Sequence, residues 1–157
     1  MCWVSHSITL NKQIASENIK VYKIVNFYSG DLISYFRGFT YEINKLYKTK
    51  VTPTSFGMDF NIISRGFHSY SKNNKLTFSG GLLYVCDADL LKSNEIYSDN
   101  DGLVVVECII PKSSEYYIND SGEIISNQII LSNKYINVNH TNVYKETFED
   151  LFNRIFN

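Results

Sequence analysis

The sequence predicts a single α+β domain spanning residues 1–157, built mostly of antiparallel strands and ending in an amphipathic helix. The run 103–110 (LVVVECII) is the most apolar in the chain and is rich in β-branched residues, which favour buried strands. Turn signals rich in Asn, Asp and Gly separate further short apolar runs. Only the segment 141–157 keeps a convincing helical stripe of apolar residues, with Thr141 or Asn142 as its predicted cap.

The bulk composition favours a folded protein and gives no electrostatic sign of a polyanionic partner. Hydrophobic residues make up 44% of the chain and the net charge is −1, so we expect no nucleic acid partner. No apolar run reaches transmembrane length and the N-terminus lacks a secretory pattern, so we expect a cytoplasmic protein without a membrane partner.

Cysteine and histidine usage argues against a metal centre. Three cysteines lack metal-type spacing, and the three histidines stand far apart in the chain, so no metal and no cofactor are predicted. Buried free cysteines also indicate a reducing compartment. Removal of Met1 would expose Cys2 as an N-terminal nucleophile, although no flanking motif supports that role.

Hydrophobic alternation and turn residues predict strands in the first part of the chain. Residues 19–28 (IKVYKIVNFY) alternate apolar and polar positions and predict a strand, followed by a turn at 29–31. The aromatic segment 32–47 favours a loop and a short strand over a helix, because a glycine interrupts it; its Gly-Phe-Thr-Tyr-Glu core would place an aromatic over the sheet. Residues 48–58 contain a proline and a glycine and are predicted to be a loop.

The middle of the chain combines short apolar runs with glycines. Residues 60–70 hold an apolar run and then a bend or bulge at Gly66. Residues 76–85 predict one strand broken by a bulge at a Gly-Gly pair, with a short helix after the glycines as the alternative. Residues 87–93 favour a short helical turn, and 94–102 a polar loop.

The segment 103–131 is predicted to contain two core strands joined by a long, partly ordered connection. Residues 103–110 form the first of these strands, and a turn is expected at 119–122. Residues 128–131 and 134–138 are predicted as the last two strands.

Glu107 is the most interesting carboxylate in the chain. Strict strand alternation places it on one face with the apolar residues Leu103, Val105 and Ile109. One interpretation is a strand whose outer face is partly solvated. The other is a carboxylate at the edge of a pocket.

A second candidate site is the bend that contains Arg65, His68, Ser69 and Tyr70. An arginine, an imidazole and two hydroxyls on one bend would hold a phosphate or another anion by charge-assisted hydrogen bonds. The alternative is that these polar side chains satisfy the local backbone while the glycine and phenylalanine pack the bend.

Several segments resemble a family of small proteins from Bacteroidetes-type gut bacteria and their phages. The matching segments are Met1-Cys2, VYKIV at 21–25, RGFTYEINKLY at 37–47, RGFHSY at 65–70, VECIIPKSSEYY at 106–117 and SNQIIL at 126–131. Heavy use of Asn, Ile, Tyr, Phe and Lys is also typical of AT-rich bacterial or viral genomes. The resemblance implies a phage or prophage source and no particular activity.

The order of the motifs is also similar to the ADP-ribosyltransferase fold. Tyr22-Lys23 stands where that family has Tyr-Arg, and FHSYS at 67–71 resembles its serine strand. Ile110-Pro111-Lys112 resembles its Pro-Lys-Gly turn, and Ser126-Asn127-Gln128 falls where its Glu-x-Glu precedes an apolar strand. The resemblance implies the fold more than the reaction, because Gln128 is neutral and Lys23 lacks the planar fork of arginine.

The sequence therefore favours a non-enzymatic phage-type accessory protein that binds an anionic or nucleotide-like molecule, such as a host-defence signal, or a host or phage protein. Its predicted ligand-binding residues are Lys23, Arg65, His68, Ser69, Gln128 and Glu107. They are expected to line a cleft between the bend at 65–71 and the strands of 107–128. No catalytic residue is predicted. The alternatives are an ADP-ribosyltransferase-like enzyme that acts on NAD through a displaced glutamate, and a virion structural protein.

Overall fold

A computed structural model describes residues 3–5, 11–34, 39–51, 53–56, 60–63, 65–79, 82–87, 93–96, 102–137 and 146–157. These residues form sixteen strands and one helix. All pairings between the described strands are antiparallel. The strands are β1 Trp3–Ser5, β2 Gln13–Ile14, β3 Ile19–Tyr28, β4 Asp31–Ser34, β5 Thr40–Tyr41, β6 Leu46–Lys48, β7 Pro53–Phe56, β8 Phe60–Ile63, β9 Phe67–Tyr70, β10 Asn74–Ser79, β11 Leu82–Asp87, β12 Ser93–Ile96, β13 Leu103–Ile110, β14 Glu115–Ile118, β15 Glu123–Ser126 and β16 Gln128–Asn137. The helix is α1 Phe148–Phe156.

The main sheet has ten strands and is centred on β13. Its strand order is β2-β14-β15-β9-β3-β13-β16-β6, with β4 joined to β3 and β5 joined to β4. Strand β13 pairs with β3 along its whole length, from Leu103 opposite Asn26 to Ile110 opposite Ile19. It is buried on both faces except at Ile109. This burial explains its near-continuous run of β-branched residues.

The main sheet must roll up, because two strands that are far apart in it are adjacent in sequence. Strands β15 and β16 are joined by Asn127 alone, yet β9, β3 and β13 lie between them in the sheet. The Asn127 amide donates to the Glu115 carbonyl, and its carbonyl accepts from the Thr49 amide, which fixes the corner. The five strands from β15 to β16 therefore curve around a common interior.

That interior is filled by a set of buried side chains that we call the inner cluster. Four of the five curved strands contribute members, Phe67 of the fifth strand packs against it, and β4 and β5 add one residue each. The members are Val21, Val25, Leu32, Tyr41, Val104, Val106, Cys108, Ile110, Ile124, Ile129 and Leu131.

The helix packs on the outer face of β3 and β13. The ring centroid of Tyr22 lies 5.3 Å from that of Phe148 and 4.9 Å from that of Phe152. The helix begins at Phe148 rather than near 141, and Thr147 is its N-cap, since its side chain accepts from the Asp150 amide at 3.2 Å. The predicted caps Thr141 and Asn142 lie outside the described residues.

The antiparallel sheet with a C-terminal helix confirms the predicted class, while several local predictions were wrong. Strand β7 lies within the predicted loop 48–58; its proline occupies the first position of the strand, where a missing amide is tolerated. Residues 76–85 do not form one bulged strand. Strands β10 and β11 pair as an antiparallel hairpin in which Ser79 faces Leu82, and the two glycines between them lie outside the described residues.

Two further predictions differ from the structure at polar positions. Strand β12 occupies 93–96, part of the predicted polar loop, and most of the predicted helical turn 87–93 lies outside the described residues. The connection after β13, which was predicted to be partly ordered, contains the hairpin β14–β15 and so agrees with the prediction. Strand β16 is continuous where two strands were predicted, because a register shift opposite Glu107 absorbs the polar residues 132–134.

Candidate functional site

Lys23 carries an ammonium group into the interior of the rolled sheet. It alternates along β3 with Tyr22 and Ile24, which face the helix, so it points inward with Val21 and Val25. Only 8% of Lys23 is exposed. Its Nζ donates to the His68 carbonyl at 2.7 Å and lies 5.7 Å from the ring centroid of Tyr41. Burial lowers the pKa of Lys23 to about 8, because the interior disfavours its charged form.

Lys23 lies where β3 changes its neighbour, a place that we call the split. One edge of β3 pairs with β9 only through Tyr22 and Tyr70, and then with β4 from Val25 onward. Its other edge stays paired with β13 throughout. At the split, the Lys23 ammonium donates a hydrogen bond to the His68 carbonyl of β9. The rings of Tyr41 and Phe67 meet at 6.4 Å between β5 and β9.

Ser69 places a second buried polar group near the split. Ser69 and Lys23 each lie one residue from the antiparallel pair Tyr22–Tyr70 and face the interior, and Phe67, two residues earlier on the same face, packs against the inner cluster. The Ser69 hydroxyl is fully buried and has no hydrogen-bond partner among the described residues. The side chains of Lys23 and Ser69 therefore point into the same part of the interior, and neither the spare N–H groups of the ammonium nor the hydroxyl is used in a hydrogen bond between them.

The imidazole of His68 points to the opposite face of β9. There its Nδ1 lies 3.8 Å from a carboxylate oxygen of Glu123, and both side chains are mostly buried. Burial lowers the pKa of His68, and the neighbouring Glu123 carboxylate opposes that shift. His68 thus reaches the split through its carbonyl and not through its ring.

Glu107 also faces away from the interior. It shares the outer face with Leu103 and Val105, as alternation predicts, and lies opposite Tyr22. Only 8% of Glu107 is exposed, and its carboxylate lies 3.5 Å from the ammonium of Lys20.

Gln128 and Arg65 do not join Lys23 in the interior. Gln128 opens β16 and alternates with Ile129 and Leu131 of the inner cluster, so its side chain points outward. Arg65 is exposed in the bend before β9. The structure therefore brings Lys23, Ser69 and the His68 backbone together, and separates them from Glu107 and Gln128.

Three aromatic residues next to the split were absent from the predicted site. Phe39, Tyr41 and Tyr47 pack edge to face, with ring centroids 4.9 to 5.3 Å apart and interplanar angles of 73° to 84°. We call them the aromatic triad. The sequence signal was the Gly-Phe-Thr-Tyr-Glu core, which predicts an aromatic over the sheet. Tyr41 is that aromatic, and burial raises its pKa.

Comparisons of the chain with protein-family models, with curated proteins and with solved structures find no match. Within the described part of the chain, no helix is long and apolar enough to span a bilayer. In the same residues, no group of three or more His, Cys, Asp or Glu side chains is arranged to hold a metal ion. The function is therefore inferred from the chemistry of the split.

Proposed function

We propose that this chain is a binding protein that holds an anionic group of a small molecule, a carboxylate or a phosphate, between Lys23 and Ser69. One observation carries the proposal. The buried ammonium of Lys23 has a single hydrogen-bond acceptor, a backbone carbonyl, and no carboxylate within 4.0 Å among the described residues.

The lysines that form ion pairs differ from Lys23 in their exposure to solvent. Four described lysines have a carboxylate at 3.4 to 3.8 Å, and each of these side chains is more than half exposed. They are Lys12, Lys20, Lys45 and Lys72. Solvent stabilises those four charges without help, so such pairs contribute little. Among these five lysines, only Lys23 is removed from water without a carboxylate near its ammonium, which is unfavourable.

An anionic ligand would remove that cost. Its negative charge would balance the ammonium in a medium of low dielectric constant, where the attraction is strongest. The free N–H groups of Lys23 and the Ser69 hydroxyl would donate hydrogen bonds to its oxygens. Tyr41 would keep water from the pair. The neutral fraction of Lys23 would fall on binding, so anion binding is coupled to proton uptake.

Thermal unfolding with phosphate as the probe tests this site. Ionic strength is held constant with chloride, so that screening does not mimic binding. At phosphate concentrations of about 100 Kd, binding to the native state adds about 2.7 kcal/mol, and Tm rises by roughly 5–10 °C. Lys23→Met should lose this rise. Lys12→Met, which changes an exposed lysine, should keep it. Equal shifts in wild type and Lys23→Met would refute the proposal.

A second candidate is an ADP-ribosyltransferase-like enzyme that acts on NAD. One observation favours it: β3, with Lys23 where that family has its arginine, pairs through Tyr22 with Tyr70 of β9, the strand that resembles the family's serine strand. The outward side chain of Gln128 argues against catalysis. Nicotinamide release from NAD that is lost in Glu107→Gln would support this enzyme; no release by the wild type would exclude it.

A further inference from the structure

The aromatic triad connects the buried ammonium to the protein surface. Tyr41 is 6% exposed, and its ring lies 5.7 Å from the Lys23 ammonium. Phe39 packs against Tyr41 at 4.9 Å and is 45% exposed. A continuous aromatic surface thus leads from the split outward to Phe39, which presents nearly half of its surface to solvent.

Phe39 is held firmly although it is exposed. Its amide donates to the Ser34 hydroxyl at 3.0 Å, and its carbonyl accepts from the Ser34 amide at 2.7 Å. Edge-to-face contacts with Tyr41 and Tyr47 hold the ring from two sides. An aromatic fixed in this way loses little conformational freedom when it stacks on a ligand, which favours binding.

From these contacts we propose that Phe39 stacks on a planar ring of the ligand whose anionic group is held by Lys23 and Ser69. The inference rests on the proposed function and names its ligand class: an aromatic or heteroaromatic anion. The Lys23 ammonium is no farther from the Phe39 ring than the sum of its 5.7 Å contact to Tyr41 and the 4.9 Å contact of Tyr41 with Phe39. A molecule of mononucleotide size spans such a distance.

Calorimetric titration with matched probes tests the stacking. AMP carries a phosphate and a ring, ribose phosphate lacks the ring, adenosine lacks the anion, and indole acetate carries a carboxylate on a different ring without a ribose. Stacking of a base on an aromatic changes affinity by about 5- to 150-fold. We expect AMP to bind more tightly than ribose phosphate by this factor. Phe39→Ala should erase the difference, and Phe39→Tyr should keep it.

Phe156→Ala is the matched control, because Phe156 is a comparably exposed aromatic on the C-terminal helix. It should leave all four affinities unchanged. Preference for AMP over indole acetate would assign a phosphate ligand, and the reverse a carboxylate. Equal binding of AMP and ribose phosphate, or an equal loss of both in Phe39→Ala, overturns the ring inference while the anion site stands. If no probe depends on Lys23, the anion site itself is refuted, and the ring inference with it.

Discussion

Replacing Lys23 by methionine should stabilise the fold while it removes the anion site. Methionine is unbranched and only one atom shorter than lysine, so it replaces the apolar stem and keeps the space beside the inner cluster filled. It removes the ammonium, which is buried at the split and touches no carboxylate among the described residues. Most substitutions of buried residues destabilise a protein, so a gain here would be diagnostic of an unfavourable charge.

The magnitude follows from the pKa of Lys23, which burial lowers from 10.5 to about 8. At about 1.4 kcal/mol per pKa unit, burying the charged form costs about 3 kcal/mol near neutral pH. Losing the hydrogen bond to the His68 carbonyl lowers the stability of the variant by about 1 kcal/mol, which offsets part of this gain. The variant should therefore be more stable than the wild type by about 2 kcal/mol.

The gain should shrink as the pH rises. The folded protein releases the Lys23 proton near pH 8, while the unfolded chain keeps it to about 10.5, so the unfolded state binds more protons between these values. Stability of the wild type then rises with pH relative to the variant, by about 1.3 kcal/mol between about pH 7 and pH 9. Tyrosine and cysteine residues contribute to the pH dependence of stability in both proteins, and these contributions largely cancel in the difference.

Urea unfolding followed by tyrosine fluorescence or circular dichroism measures both effects. Lys12→Met serves as the control, because it removes an exposed lysine and should show neither the gain nor the pH dependence. A variant that is less stable than the wild type at neutral pH would refute the electrostatic account of Lys23. So would a stability difference that stays constant from neutral to alkaline pH.

The remaining predictions concern affinity, a glycine and the helix cap. Sulfate, which does not titrate in this range, should bind the wild type about tenfold more weakly per pH unit above about pH 8, because only protonated Lys23 pairs with it; calorimetry that shows a flat profile would contradict this. Gly66→Ala should cost about 3 kcal/mol in urea unfolding, since φ is +149° and a Cβ would lie 2.5 Å from Ile125 Cγ1. Gly30→Ala is its control: φ is +85° but no atom lies within 4 Å of the new Cβ, so the cost should be about 1 kcal/mol. Thr147→Ala should lower stability by about 1 kcal/mol in thermal melts, because it removes the N-cap acceptor; an unchanged Tm would show that the cap is not needed.

Local sequence patterns predict the strands whose own residues alternate or are β-branched. They miss the strands that exist only because a partner strand pairs with them. Strands β3 and β13 follow from alternation and β-branching, which depend on neighbouring residues only. The hairpin β10–β11 is missed because a glycine pair fits a bulge as well as a turn. Strand β7 is missed because its proline suggests a loop, and only its pairing with β8 makes it a strand.

The candidate site shows the same limit. Lys23 and Ser69 were predicted site residues, and their common orientation toward the interior depends on the pairing of β3 with β9, which no local pattern encodes. Alternation alone could have set Gln128 apart, since the buried Ile129 and Leu131, one and three residues later, face the other side of the strand. The role of Tyr41 beside the ammonium needed the place of β5 beside β4. Ligand binding by these residues stays a prediction.

The central position of β13 has a consequence for how the protein is made. Leu103 pairs with Asn26 and Ile110 with Ile19, so each contact joins parts of the chain some 80 to 90 residues apart. A ribosome adding about 5–20 residues per second would expose β3 for several seconds before its partner emerges. Such long-range pairing also slows folding. During that interval the unpaired backbone edge of β3 and its apolar side chains are open to other nascent chains. The yield of folded protein in a cell should therefore depend on chaperones that bind the first hundred residues.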